Sequence, residues 1–445
     1  MASKLLSKTK YIAGLRCPLL LWTLTNDRTR VPPVDTATQH RFDEGHRVGN
    51  IAKQLFPKGI DIPTNNFMGN IRQTENFLNL NKPLFEAGVL SNRLYSRADI
   101  LNPTEDGTWD IYEVKSSTDS KEVNFHDVAF QRGVYQQAGI NINRCFLIYL
   151  DKDYVKYGEI DPAGLLALED ISTAVDDASI GMEERIKNML AIMDSRIRPD
   201  GVVGSQCFFP WDCDMKSVCQ QSPEENAIIG KPYATKAEIC RFLEKIEYPL
   251  AFLEIKTIRP AIPVFDGTRP YQHVPFLFSL HMVESLGSPP VHHSFLAEDT
   301  GDPRPAFLSN LKNLLDFHNN IIVSNVQFIK NILKELALSY PGYQDWADNA
   351  AARIINVPSP FNEPRYFDLD EKDTFNNSLS GTSCAPHQDR RVENSIDAEI
   401  AFLQIISGNI SSEEVEEIKR NLTDSCKIET ARMVESLEKL RKFSS

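Results

Sequence analysis

The alternation of apolar and polar residues changes period several times along the chain, and each change marks an element. Strict alternation over 97–101 and 109–115 predicts two short strands, and the turn formers Pro103, Asp106 and Gly107 predict a polar turn over 102–108 between them. A strand is expected just before, over 84–89, and a buried strand after, over 144–150 (RCFLIYL). Between them, Phe125, Val128, Ala129, Val134, Tyr135 and Ala138 recur at helical spacing and predict a helix over 124–139. The same spacing predicts helices over 10–24, 36–55, 68–78 and 183–195. A second block follows an expected linker at 221–234. It carries strands over 250–258 (LAFLEIKTI), 275–283 and 321–325, with helices over 235–246, 306–318, 327–339 and 412–443. The stretch 357–395, rich in Pro, Asn, Ser and Asp, reads as loop. No internal repeat is evident. The pattern is α/β in two domains, 1–225 and 226–445.

Length agrees: 445 residues exceed what one core organises. Hydrophobic content of 42% with 24% charged residues is that of a soluble globular protein, and no apolar run reaches the roughly 20 residues a membrane span needs. The first residues lack the apolar core and cleavage site of a signal peptide, so a cytoplasmic protein with no membrane partner is expected. A net charge of −13 argues against a protein that coats nucleic acid. The first thirty residues are nonetheless locally basic, with Lys4, Lys8, Lys10, Arg16, Arg28 and Arg30.

Side chains two apart on a strand share a face, so Glu113 and Lys115 point the same way, and hairpin pairing puts Asp99 across from them. Carboxylate oxygens are the ligands magnesium prefers, and an adjacent lysine can polarise a phosphate or position a water. The plain alternative is an exposed hairpin with a surface ion pair. Gln131 and Tyr135 are four apart and share a helix face. Of eight cysteines, Cys207, Cys213 and Cys219 are spaced six apart around a Pro-Trp turn. Three thiolates leave a tetrahedral centre one ligand short, and Cys17, in a Cys-Pro context at the other end of the domain, is the natural fourth. Spacing does not choose zinc over an iron–sulfur cluster, and unrelated buried thiols are the plain alternative.

Together these features resemble the RecB-like branch of the PD-(D/E)XK nuclease superfamily in its iron–sulfur form, over roughly residues 1–222. Asp99 matches the metal-binding aspartate, Glu113-Val114-Lys115 the (D/E)-x-K, Gln131-x-x-x-Tyr135 the Q-x-x-x-Y motif, and Cys17 with Cys207, Cys213 and Cys219 the one-plus-three cysteines. The resemblance implies a restriction-endonuclease-like core and a deoxyribonuclease using Mg or Mn held by Asp99 and Glu113. Lys115 would orient or deprotonate the attacking water, and Gln131 and Tyr135 would contact DNA or buttress the site. The four cysteines would hold a [4Fe-4S] cluster, with Zn the alternative. DNA is the implied partner, single-stranded DNA its narrower form. Glu86 sits where relatives carry a further acidic residue. The branch's G-x-x-x-H is absent: Gly49 stands four after Gly45, leaving His46, one after the first glycine, or Glu44, one before it, as the substitute metal ligand.

The chain from Tyr248 resembles an RNase-H-like, DEDD-exonuclease-type module fused to such nucleases in an uncharacterised bacterial family. Its acidic positions are worn. The first strand has Glu254-Ile255-Lys256, Ile329 stands at an acidic position, and Glu429 replaces Asp. A degenerate module that keeps the fold and lacks exonuclease activity is expected. The rival to the nuclease is an inactive nucleic-acid- or protein-binding module that retains a structural metal cluster.

Overall fold

Proline 18 cuts the first expected helix in two. In the computed structural model of the chain, α1 (Lys8–Arg16) and α2 (Pro18–Asn26) meet at Cys17, whose backbone is extended (φ −159°, ψ 125°). Proline crowds the helical conformation out of the residue before it. The structure describes residues 4–208, 213, 215–219, 236–298, 300–316, 318–356 and 394–444. The expected linker at 221–234 lies outside these, as does the expected loop as far as residue 393. The chain divides into two compact units, Met1–Ile228 with Ala261–Val264, and Ile229–Pro260 with Phe265–Ser445. Both are mixed α/β, each with a mixed sheet. No helix among the described residues is long and apolar enough to cross a membrane.

In the first unit, β1 (Leu6–Ser7) precedes α1. After α2 come α3 (Thr36–Ala52), β2 (Ile60–Asp61), α4 (Phe67–Phe77), β3 (Leu84–Ser91), β4 (Leu94–Pro103), β5 (Trp109–Val114), α5 (Glu122–Gln137) and β6 (Ile142–Leu150). Then follow α6 (Pro162–Leu165), β7 (Leu166–Asp170), α7 (Ser172–Ser179), α8 (Met182–Asp194) and α9 (Lys216–Cys219). The sheet order is β2-β3-β4-β5-β6-β7, with β1 pairing β4. The β3–β4–β5 strands form an antiparallel meander, and β5 runs parallel to β6 with α5 as the crossover. Val128, Ala129, Val134 and Tyr135 of α5 pack on Leu84, Ala98, Leu101, Ile111 and Leu147 of the sheet. Each fully buried side chain of this kind stabilises by about 1.5–3 kcal/mol relative to exposure.

The alternation slips once on each of two neighbouring strands. On β4, Leu94 and Ala98 face the core, then Leu101 joins them instead of Ile100. Opposite this slip, Glu86 of β3 has a positive φ of 59°, a conformation that L-residues seldom adopt. The slip falls at Asp99.

The second unit holds α10 (Lys236–Leu243), β8 (Leu250–Ile258), β9 (Val274–Val283), β10 (Val291–Leu296), α11 (Arg304–Leu315), β11 (Asn320–Val323), α12 (Val326–Ser339), α13 (Gln344–Arg353), β12 (Ile354–Asn356), α14 (Ser395–Ser407) and α15 (Ser412–Ser444). Strand order is β10-β9-β8-β11-β12. The central strand β8 is buried on both faces, which explains its near-continuous apolar run. Ala251, Leu253 and Ile255 face α11, α12 and α13. Leu250 and Phe252 face α10 and the long helix α15.

A candidate phosphodiester-hydrolysis site

Strands β4 and β5 are paired from Pro103–Trp109 to Ile100–Tyr112 and then part. The next rung in register sets Asp99 against Glu113. No backbone bond closes it; the Asp99 carboxylate accepts the Val114 N–H at 2.8 Å instead. Opposed residues of an antiparallel pair have their Cβ atoms about 5 Å apart, so the two carboxylates leave the fork between the strands together.

Glu113 is 1% exposed. Burying a lone carboxylate costs several kcal/mol, and it persists only with donors around it. Here three side chains supply them. Lys115 Nζ lies 2.6 Å from Oε1, Gln131 Nε2 2.6 Å from Oε2, and Lys8 Nζ straddles both oxygens at 2.9 and 3.1 Å. Lys115 also reaches Asp127 Oδ2 at 2.8 Å, and Lys8 stands 3.8 Å from Asp127 Oδ1. The cluster therefore holds three carboxylates and two ammonium groups. Burial alone would raise the Glu113 pKa, but Lys115 and Lys8 reverse it and hold the group well below the usual carboxylate range. Burial and the neighbouring Glu113 push Asp99 up to about 7. Burial works against the Lys115 ammonium, yet Asp127, Glu113 and Asp99 raise its pKa above the ordinary lysine value. A protonated Lys115 can orient a water and offset negative charge.

Gln131 is buried and serves Glu113. Tyr135 is also fully buried. Its hydroxyl accepts the Ala98 N–H at 3.0 Å and donates to the Ala87 carbonyl. Ala87 and Ala98 are register partners of β3 and β4. The hydroxyl is thus inserted into the ladder beside the Glu86 distortion, bracing the backbone that carries Asp99. Those two bonds suit the buttressing role among the two expected of it. Glu86 and His46, the other two expected metal ligands, make different contacts. Glu86 pairs with Arg97 at 2.9 Å, and His46 is exposed on α3. Glu44 is buried and pairs with Arg47. Helix α3 does pass the site, since a side chain at Gly45 would meet Ser116 Oγ at 4.0 Å.

Sequence reasoning missed Lys8 and Asp127. Asp127 carried a usable signal: it lies four before Gln131, one turn back on the same helix face. Lys8 carried none, because β1 and α1 bring it in from 105 residues away.

Two buried oxygens of this cluster, Asp127 Oδ1 and Gln131 Oε1, lack a hydrogen-bond partner. Carboxylate and amide oxygens are the donor type that a hard divalent cation takes. Among the described residues no three His, Cys, Asp or Glu side chains are gathered tightly enough to hold an ion.

Cys17, Cys207, Cys213 and Cys219 line one pocket, with Arg16, Leu20 and Met215 among its other walls. Cys17 comes from the α1–α2 break, Cys207 and Cys213 are tied by a 2.9 Å backbone bond, and Cys219 ends α9. Burial raises the thiol pKa of Cys213 and Cys219, and the other cysteines add to it as like charges. Four sulfurs match a thiolate-held group in donor type and number, but among the described residues they are not gathered closely enough to hold an ion.

In the second unit, Lys256 is 5% exposed and sits between carboxylates: Glu429 Oε2 at 2.6 Å and Glu254 Oε1 at 3.3 Å. Ser324 donates to Glu254 at 2.9 Å. Burial opposes the Lys256 charge, but Glu254 and Glu429 raise its pKa. Ile329 is buried in the apolar core under α12. A family model described as a domain of unknown function (DUF2779) matches residues 251–375, taking in β8 to β12. No curated protein matches the chain.

Proposed function

We propose that the first unit is a metal-dependent deoxyribonuclease of the RecB-like PD-(D/E)XK type. One observation carries the reading: a buried glutamate and an aspartate leave a strand fork together, with Lys115 and Gln131 bonded to the glutamate. Asp99 and Glu113 would hold Mg²⁺ or Mn²⁺, which when bound supplies a Lewis acid for the phosphate and an activated water. Lys115, fixed by Asp127, offsets the charge that builds on the phosphorane oxygens. Gln131 keeps Glu113 aimed, and Tyr135 fixes the strand under Asp99. Water adds to phosphorus, a phosphorus–oxygen bond of the backbone breaks, and the leaving oxygen takes up a proton. Cys17, Cys207, Cys213 and Cys219 would hold a [4Fe-4S] cluster, or zinc, that fastens the start of the unit to its end. In the second unit the Lys256 ammonium stands where a divalent cation would need those carboxylates, and that unit is read as non-hydrolytic.

The test is cleavage of single- and double-stranded DNA by the purified full chain with Mg²⁺ or Mn²⁺. Asp99→Ala and Lys115→Ala should each lose activity by about a hundredfold or more. Wild type that cuts no better than these variants overturns the reading and leaves the binding module, which the two ammonium groups on Glu113 favour.

A further inference from the structure

Lys8 is the charge at this site that the hairpin does not supply. Backbone geometry delivers it: β1 pairs with Leu94 and Tyr95 of β4, Ser7 caps α1, and Lys8 is the first residue of that helix. Lys115 alone already bridges Glu113 and Asp127. Lys8 then adds a second ammonium across both Glu113 oxygens, the atoms that a divalent cation would use. A divalent cation at those oxygens would face the charge of Lys8 as well as that of Lys115. The Lys8 side chain is 24% exposed, and a lysine ammonium sits on a flexible four-carbon stem.

We propose that Lys8 is a resident counter-ion and the second phosphate-contacting cation of this site. It holds Glu113 while no divalent cation is bound, gives up that carboxylate when one binds, and takes a non-bridging oxygen of the DNA phosphate. The inference rests on the nuclease reading, naming a residue that the motif does not contain. No bond is made or broken in the exchange. The ion pair with Glu113 is traded for one with phosphate.

Mn²⁺ binding to the full chain without DNA, by titration calorimetry, tests the first half. Lys8→Met should bind Mn²⁺ about tenfold more tightly than wild type, since its competitor is gone. Adding Asp99→Ala to that variant should abolish the gain. A residue that merely shaped the pocket would weaken binding when lost, so equal or weaker Mn²⁺ affinity in Lys8→Met overturns the proposal. Lys8→Gln carries the same titration if Lys8→Met does not fold. Cleavage of a fluorescent oligodeoxythymidine tests the second half. Lys8→Met should raise KM about tenfold with less change in kcat, and Lys8→Arg should restore much of it; an unchanged KM overturns the phosphate contact. If wild type binds Mn²⁺ through Asp99 and cuts nothing, the nuclease reading falls, while the exchange at Glu113 is judged by calorimetry alone.

Discussion

Changing Tyr135 to Phe removes a single oxygen from the interior of the first unit. That oxygen joins the N–H of Ala98 to the carbonyl of Ala87, and both residues are fully buried. Without it, two backbone groups lose their partners in a place water does not reach. Each such orphan costs about 1–3 kcal/mol, so the variant should be less stable by about 2–6 kcal/mol. For a unit of this size that corresponds to a fall in Tm of roughly 4–24 °C. Urea unfolding with an unchanged m-value checks the size. Because Ala98 adjoins Asp99, Mn²⁺ affinity should fall alongside. Tyr157→Phe, at a residue 74% exposed, should change stability by less than about 0.5 kcal/mol and serves as control. A Tyr135→Phe protein as stable as that control, with intact Mn²⁺ affinity, would mean that β3 and β4 close the gap themselves. The brace would then be wrong.

Four further outcomes are expected. In the metal-free protein Asp99 keeps its proton in the fold, at about 7, above its ordinary 3.8. The folded state then binds more protons than the unfolded chain across that window, so this group's contribution to stability is lost as pH rises through it and is level above. Asp99→Asn removes that slope, which pH-dependent urea titrations report; Mn²⁺ binding to wild type should release a proton near pH 6, visible as buffer-dependent heat. Cys213→Ala should lower Tm and remove any brown absorbance of anaerobically purified protein, and an equally stable variant counts against the cysteine fastening. Lys256→Met leaves Glu254 and Glu429 facing each other and should cost about 2–4 kcal/mol at neutral pH, the lower end because Glu429 is a third exposed. The Asp99→Ala chain, with the first site silenced, should release no nucleotides from DNA, and metal-dependent release would show the second unit to be active.

What was legible in the sequence had short range. Alternation gave β4 and β5, and the two-residue spacing of Glu113 and Lys115 put them on one face, where Lys115 now bonds Glu113. Helical spacing gave α5 with Gln131 beneath that face. The helix 10–24 was read through Cys17-Pro18 although Pro18 itself announced the break. β7 (LALED) and β10 (VHHSFL) were missed because short, polar edge strands carry little apolar periodicity. Lys8 reaches Glu113 through β1, a two-residue strand that no pattern marks. The Tyr135 hydroxyl takes its place from a slip in the ladder, and a slip of one residue has no counterpart in composition. His46 lies exposed on α3 and Glu86 pairs with Arg97, side-chain directions that sequence position does not specify.

The pocket walled by Cys17 and by Cys207 to Cys219 also sets an order of events on the ribosome. A chain emerging from its N-terminus offers Cys17 first, and the remaining walls arrive only after about 190 more residues, some ten to forty seconds later at usual synthesis rates. Until then Ala13 and Leu20 of the opening helices lack Met215, the buried residue they pack against in the finished fold. A nascent chain stalled before Cys207 would present Leu20 and its apolar neighbours bare, as a target for chaperones or proteases.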